Sequence, residues 1–418
     1  MKDTILTHKF ERDEFLKADY VPRENIEKAR ENVSNNLVKV IVGPRRAGKS
    51  VFSIQILKGL DFAYLNLDDE RILSIKDYDE IIKGLREVYG ETKYILFDEI
   101  QNLEGWELFV NRLQRKGYNL IITGSNSRLL SKELATHLTG RYIQFQIFPF
   151  SFSEFLKAKG IALDETVKLK EKQGMILYYL NEYLTMGGFP EIVLKNVNLK
   201  DYLKFLVDSV LFKDVVRRYN LRYSRKLYDL AVYLINNHSM EFSSTKLKNI
   251  LSFRSVHTVD NYISYLEEAF LNFTLKRFSF KMKEQIKAPR KVYAYDTGVI
   301  NVFKFKISQD AGKLMENVVA LELLRRGEEF YYFRNSRGQE IDFVLKRGIE
   351  IPQLIQVCYD IKDIPVRERE CKSLQKVAPE LNCKDLLVIT WDYEGKESYG
   401  EYLIEFIPLW KWLIYSYK

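Results

Sequence analysis

The eight residues Gly43-Pro44-Arg45-Arg46-Ala47-Gly48-Lys49-Ser50 constrain this chain more than any other stretch. They satisfy the pattern G-x-x-x-x-G-K-[S/T] without a mismatch. Residues 37–42 ahead of them read as a buried strand, and residues 51–57 behind them as a helix. A loop at such a junction turns backbone N–H groups, and the positive end of the helix dipole, onto an anion. The glycines let the backbone wrap close around phosphates. Lys49 reaches the β and γ oxygens, and the Ser50 hydroxyl ligates Mg²⁺. The expected ligands are therefore ATP and Mg²⁺.

A second motif makes the site hydrolytic. Tyr94-Ile95-Leu96-Phe97-Asp98-Glu99 is an apolar strand ending in two carboxylates, about fifty residues downstream. Asp98 is expected to hold the Mg²⁺ through water. Glu99, beside the γ-phosphate, is expected to act as general base on the attacking water.

Five strands are expected at 37–42, 62–67, 94–98, 118–123 and 141–147, with helical patterns between them. That alternation implies an α/β domain with a doubly wound parallel sheet. The fourth strand runs into Gly124-Ser125-Asn126. Asn126, or Ser125, is the candidate sensor touching both the γ-phosphate and the attacking water, as in ATPases with an extra strand between the two phosphate motifs. Arg141 opens the fifth strand, where oligomeric ATPases often place an arginine against a neighbour's nucleotide. Arg128 is its rival.

These segments together resemble the archaeal and bacterial AAA+-type ATPases that carry a C-terminal domain of uncharacterised function. The resemblance rests on the phosphate loop, Phe97-Asp98-Glu99-Ile100-Gln101-Asn102 with Gly105-Trp106, and residues 122–131. Gly140-Arg141-Tyr142, residues 148–155 and Gly187-Gly188-Phe189-Pro190-Glu191 add to it. It spans nearly the whole chain and implies an oligomeric ATPase, in some cases a ring.

The chain has 418 residues, too many for one ordinary core, so two to four domains are expected. Apolar residues at 46% and charged residues at 29% fit a soluble globular protein. No run of eighteen apolar residues occurs, so no membrane span is expected, and the first residues do not read as a secretory signal. Cys358, Cys371 and Cys383 lack metal-site spacing and suit a reducing cytoplasm. The net charge of +8 permits nucleic-acid binding without requiring it.

The expected domains are an ATPase domain at 1–150, a helical lid at 151–224, a winged helix at 225–295 and a nuclease-like domain at 296–418. In the third, Leu227, Leu230, Ala231, Leu234 and Ile235 form one apolar helix face. A helix capped by Ser255 buries Val259, Tyr262, Ile263 and Leu266 and turns His257, Thr258, Asp260, Asn261 and Ser264 outward. Residues 276–291 then hold Lys276, Arg277, Lys281, Lys283, Lys287, Arg290 and Lys291 against a single acid, Glu284. Phe278, Phe280 and Met282 alternate with the charges, so a hairpin with one basic face is expected. A helix beside a basic hairpin is a DNA footprint.

The last third resembles the PD-(D/E)xK nuclease fold. Glu316 on a helix and Asp342 on a strand match its first two acidic positions. The acid-x-lysine expected on the next strand is Gln356-Val357-Cys358. Metal-assisted phosphodiester hydrolysis needs carboxylates on the metal and a cation near the water. Gln356 is a poor ligand and Cys358 supplies no ammonium, so a nuclease-like domain without nuclease activity is expected.

The function expected from sequence is ATP hydrolysis coupled to DNA binding or remodelling by a cytoplasmic homo-oligomer. The alternatives are an ATP-dependent nuclease, completed by groups such as Glu340 or Asp360, and a nucleotide-gated signalling switch acting on a protein partner.

Overall fold

The computed structural model describes residues 1–75, 77–126, 140–164, 170–305 and 311–415. All five strands expected in the first 150 residues form: β1 (Val38–Val42), β2 (Phe62–Asn66), β3 (Tyr94–Asp98), β4 (Asn119–Gly124) and β5 (Tyr142–Gln146). They pair in parallel in the order β2-β3-β4-β1-β5. Parallel strands are covered on both faces, which is why they read as unbroken apolar runs.

Helices α1 (Lys2–Lys17), α2 (Lys49–Leu57), α3 (Tyr78–Tyr89) and α4 (Trp106–Arg115) belong to the same unit. Ile41, Phe52, Leu57, Tyr64, Leu96 and Ile121 are part of its core. β4 separates β1 from β3, so one strand lies between the phosphate loop and the Asp98-Glu99 pair. Both motifs leave the carboxyl edge of the sheet, where open α/β sheets bind ligands.

The chain divides into two compact units. One is Met1–Pro149 with Glu268–Phe270; the other is Phe150–Glu267 with Leu271–Lys418. The second begins helically, as expected, with α5 (Phe152–Ala158), α6 (Lys170–Met186) and α7 (Leu199–Ser209). A capping box between Ser151 and Glu154 starts α5. Gly187 has φ 79°, and a side chain there would collide with the Asp296 carboxylate. Asp296 accepts hydrogen bonds from the Gly188 N–H at 2.7 Å and the Val299 N–H at 3.2 Å. Burial raises its pKa to about 7 against the pull of these backbone donors.

Next come α8 (Ser224–Asn236), β6 (Met240–Phe242), α9 (Ser244–Ile250), α10 (Val256–Glu268), β7 (Asn272–Lys276), α11 (Met282–Lys287) and β8 (Arg290–Ala294). The antiparallel order is β6-β8-β7. The apolar faces expected on α8 and α10 are buried.

The basic hairpin expected at 276–291 needs correction. β7 and β8 do pair, but the segment between them carries α11 instead of continuing as a ribbon. Phe278 is buried while Phe280 is 74% exposed, so the alternation marked an anchor and a free tip. Lys291 is not on a solvated face; it is buried.

The remainder contains α12 (Thr297–Phe303), α13 (Ala311–Arg326) and a six-stranded sheet. Its strands are β9 (Glu329–Arg334), β10 (Glu340–Lys346), β11 (Leu354–Cys358), β12 (Leu386–Thr390), β13 (Gly395–Tyr399) and β14 (Tyr402–Pro408), in the order β13-β14-β12-β11-β10-β9. β11, β12 and β14 run parallel, and the other pairs antiparallel. α14 (Ile364–Val377) packs Cys371 and Leu374 into the core with Cys358 and Val388. The apolar end forms α15 (Leu409–Ile414), whose Leu409, Trp410, Trp412 and Leu413 are buried as expected.

Candidate functional site

The phosphate loop is held open by its own backbone. Gly43 has φ 151°, and a Cβ there would overlap the Ile147 carbonyl oxygen. Ile147 is itself fixed, since its N–H donates to the Val42 carbonyl at 2.7 Å. Arg46 (φ 66°) and Gly48 (φ 95°) take positive φ, bending the chain from β1 into α2. The buried guanidinium of Arg23 donates to the carbonyls of Ala47 (2.9 Å) and Phe148 (2.6 Å), tying the loop to the segment after β5. Sequence reasoning missed Arg23, because no motif precedes the loop at that distance. Lys49 donates to the Pro44 carbonyl at 3.1 Å and lies 3.7 Å from the Glu99 carboxylate.

Asp98 and Glu99 sit at the end of β3, bridged by Thr123. The Thr123 hydroxyl donates to Asp98 Oδ1 and accepts the Glu99 N–H at 3.0 Å. The Tyr64 hydroxyl donates to Asp98 Oδ2 at 3.3 Å. Burial, and then the charge of Glu99, raise the Asp98 pKa, against hydrogen bonds from Thr123 and Ser50 and the charge of Lys49. Burial works the same way on Glu99. There Lys49 and a hydrogen bond from Gln101 win, so Glu99 is held below the ordinary carboxylate range.

Ser50 and Asp98 border a cleft of about 540 Å³, with Tyr64, Asn66, Glu11 and Glu14 also on its walls. A hydroxyl and a carboxylate within hydrogen-bonding reach, opening on a cleft, fit a hard oxygen-preferring cation such as Mg²⁺. A cation bound there would favour the ionised form of Asp98.

On β4 itself the Thr123 side chain touches both acidic positions, the Asp98 carboxylate and the Glu99 N–H. Ser125 and Asn126 are buried just past it, and the Ser125 hydroxyl adds to the lowering of Glu99. The register of β4 explains this: Thr123 is buried on the strand, and the chain turns only after Gly124. Thr123→Val should therefore lower turnover roughly 10-fold, the effect of losing about 1–1.5 kcal/mol of hydrogen bonding that positions the Asp98 carboxylate and the Glu99 backbone. Phosphate release at saturating ATP measures it, and unchanged turnover would remove Thr123 from the hydrolytic machinery. Arg141 is exposed, its carbonyl accepting the Val38 N–H at 3.0 Å. Its rival Arg128 lies outside the described residues.

In the second unit Glu316 on α13, Asp342 on β10 and Gln356 on β11 come together, whereas Cys358 on β11 does not join them. Gln356 Oε1 accepts the Asp342 N–H at 2.6 Å, and its amide donates to Glu370. Asp342 Oδ2 accepts the Val357 N–H at 3.0 Å. Cys358 packs in the apolar core, its thiol pushed up to about 12 by burial. The cation of the group comes from elsewhere. Lys291 on β8 places its ammonium 2.7 Å from Glu340, 3.0 Å from Glu316 and 3.3 Å from Asp342. Tyr293, two residues on, donates its hydroxyl to Glu316 at 2.8 Å. Burial would lower the Lys291 pKa, but Glu316 and the other negative groups lift it well above the ordinary lysine range. Asp342 is pushed up to about 8 by burial and by Glu316. Lys291 was hidden in its basic run, and the signal that could have found it is its period-2 partnership with Tyr293 on one strand face. Asp360, named with Glu340 as a substitute, is exposed.

Of the five candidate DNA residues, Lys276, Lys281, Lys283 and Lys287 are exposed and Arg277 is half-buried. His257 and Asn261 on α10 are exposed, whereas Asp260 is taken by Arg290 (3.1 Å) and Ser244 (2.6 Å).

An uncharacterized protein of Methanocaldococcus jannaschii is 39% identical over 399 residues, spanning 90% of this chain and 88% of that one. The chain belongs to the same family. An uncharacterized protein of Haemophilus influenzae is 33% identical over 397 residues, spanning 91% and 94%. An AAA domain model matches residues 35–156, so this part is a P-loop ATPase domain of AAA type, in agreement with the loop and the acid pair. Two domains of unknown function, DUF8612 and DUF4143, match residues 177–310 and 311–412. Among solved structures, the Walker-type ATPase of Pyrococcus abyssi aligns over 69% of this chain and 97% of its own, at 15% identity and a TM-score of 0.42. Among the described residues no helix is long and apolar enough to cross a membrane.

Proposed function

We propose that the chain hydrolyses ATP with Mg²⁺ and couples its nucleotide state to DNA. The observation that carries the hydrolytic half is the convergence of Lys49, Ser50, Asp98, Glu99 and Thr123 at one sheet edge. Lys49 would meet the β and γ oxygens, Ser50 and Asp98 would hold the Mg²⁺, and Glu99 would take the proton of the attacking water. The metal supplies charge for the phosphoryl oxygens. Asn126 is assigned to sensing at the same strand end, and exposed Arg141 to a neighbouring copy's nucleotide in a homo-oligomer.

The DNA half is supported by the module at 224–294. Its succession of helix, strand, two helices and two paired strands, with the short α11 between those strands, resembles the order of a winged helix. Exposed Lys281, Lys283 and Lys287 surround exposed Phe280, a mix that suits phosphates and a stacked base. The C-terminal domain is read as nuclease-like and inactive, because Gln356 and Cys358 are committed to the interior.

The first test is ATP turnover with and without single- and double-stranded DNA. Stimulation supports the coupling, and turnover indifferent to DNA would favour a protein partner instead. A sharper result is expected from salt. Replacing Lys281, Lys283 and Lys287 by glutamine should flatten the log–log salt dependence of duplex affinity by roughly two to three units. An unchanged slope would place the DNA elsewhere or remove it. Cleavage of plasmid DNA with Mg²⁺, abolished by Asp342→Ala, would overturn the inactive reading of the last domain.

A further inference from the structure

Glu99 has φ 53° and ψ 49°, in the left-handed region that residues with a Cβ rarely occupy. Such a conformation persists only where the surroundings hold it, and it gathers at functional sites. Here it bends the chain from β3 straight into one 3₁₀ turn, Ile100–Asn102. The turn is well fastened. Ile100 is fully buried, the Asn102 N–H donates to the Glu99 carbonyl at 3.1 Å, and the Asn102 amide donates to Asp68 at 3.2 Å. Residue 101 is thereby brought back against residue 99, and the Gln101 amide donates to Glu99 Oε2 at 2.5 Å. The other oxygen, Oε1, faces Lys49 at 3.7 Å, a charge contact and not a hydrogen bond.

The last torsion of a glutamate is broad, so a carboxylate held at neither oxygen turns easily. Lys49 cannot do the holding during catalysis, because it is the cation that meets the arriving phosphates. The neutral amide of Gln101 is not drawn away by them. Its far end speaks against a merely structural tie: the Gln101 carbonyl oxygen is buried, with no hydrogen-bond partner among the described residues. A glutamine that only stapled the turn would use both ends, as most buried polar atoms do. On the reading of Glu99 as the general base, we propose that Gln101 is its positioning residue, holding Oε2 so that Oε1 takes the proton of the attacking water. In that step the water oxygen bonds to the γ-phosphorus. The bond from that phosphorus to the β–γ bridging oxygen breaks, its electron pair leaves with ADP, and Glu99 Oε1 keeps the released proton.

The experiment is steady-state ATP turnover by the full chain with Mg²⁺, in the wild type and in variants at 99 and 101. Gln101→Leu keeps the bulk and loses the donor. Its kcat should fall roughly 10-fold with KM for ATP within about twofold, since the base acts only in the transition state. In the Glu99→Gln background the same change should cost nothing further, because a residue that acts through Glu99 has nothing left to position. Gln101→Glu keeps the shape and puts an oxygen where the N–H stood, so it should lose at least as much as Gln101→Leu. It carries the test if the leucine variant does not fold. Gln101→Lys, which restores a donor, should regain part of the lost turnover. Wild-type or faster turnover in Gln101→Leu and Gln101→Glu would overturn the proposal. So would a raised KM with kcat unchanged, or an equal loss with and without Glu99. Full turnover in Glu99→Gln would remove the base itself, whereas a defective Glu99→Gln beside an active Gln101→Leu would remove Gln101 alone.

Discussion

Glu99→Gln is expected to lower ATP turnover by about 10²–10⁴-fold while nucleotide binding survives or tightens. The first part follows from removing a positioned base; glutamine keeps the shape and loses the proton acceptor. The second follows from the contact with Lys49. The ammonium lies 3.7 Å from the Glu99 carboxylate and 3.1 Å from the Pro44 carbonyl. An arriving γ-phosphate competes with Glu99 for that charge, so a neutral residue at 99 removes the competitor. Lys49→Ala should behave in the opposite manner, because it deletes the cation that meets the phosphates, and tight ATP binding should be lost. A fluorescent ATP analogue reports binding and phosphate release reports turnover. Equal loss of binding in both variants would contradict the separate roles. The same variant tests Arg141: mixing Glu99→Gln with Arg141→Ala protein should restore part of the activity if the arginine acts on a neighbour's nucleotide. Absence of rescue under conditions where copies associate would leave Arg141 without that role.

The first unit was almost fully legible because its chemistry is sequence-local. The Gly-Lys-Ser loop and the Asp-Glu pair each occupy one short segment, and parallel strands buried on both faces leave apolar runs that cannot be mistaken for solvated loops. What escaped was contributed from a distance. Arg23 braces the loop from 24 residues upstream of Ala47, and Thr123 reaches Asp98 across the sheet; neither spacing is a pattern in the chain. In the second unit the helices of the 224–268 region were readable from their apolar faces. The segment after them was not. A run of seven basic residues looks uniformly solvated, yet β8 is covered on both faces from Lys291 onward, so Lys291 is buried with Val292 and Tyr293 while Lys281, Lys283 and Lys287 stay exposed. The acidic positions Glu316 and Asp342 were recognised, but the cation that balances them was sought at Cys358 on the neighbouring strand. It came instead from a different sheet, and only the fold brings it there.

Gly43→Ala should do more damage than any other single methyl group added to the first unit. A Cβ at 43 would overlap the Ile147 carbonyl oxygen and stand 2.9 Å from its carbonyl carbon. A flexible side chain could move aside, but this obstacle is backbone, and the Ile147 N–H is bonded to Val42 at 2.7 Å in line with the β1–β5 ladder. Relief therefore requires separating β5 from β1 or reshaping the loop itself. Overpacking costs about 1–3 kcal/mol, and a side chain forced into a glycine-only backbone conformation costs about 1–3 kcal/mol more. At about 2–4 °C per kcal/mol for a domain of this size, the unit should unfold roughly 4–24 °C earlier. ATP affinity should fall with it, because the amides that cradle phosphate start at this residue. Gly117→Ala separates the two causes: it also has positive φ, at 90°, but nothing lies within 4 Å of its added Cβ. That variant should show only the smaller conformational cost and bind ATP normally. Similar unfolding shifts in the two variants, or ATP affinity retained in Gly43→Ala, would mean that the close approach of residue 43 to Ile147 does not shape the phosphate site.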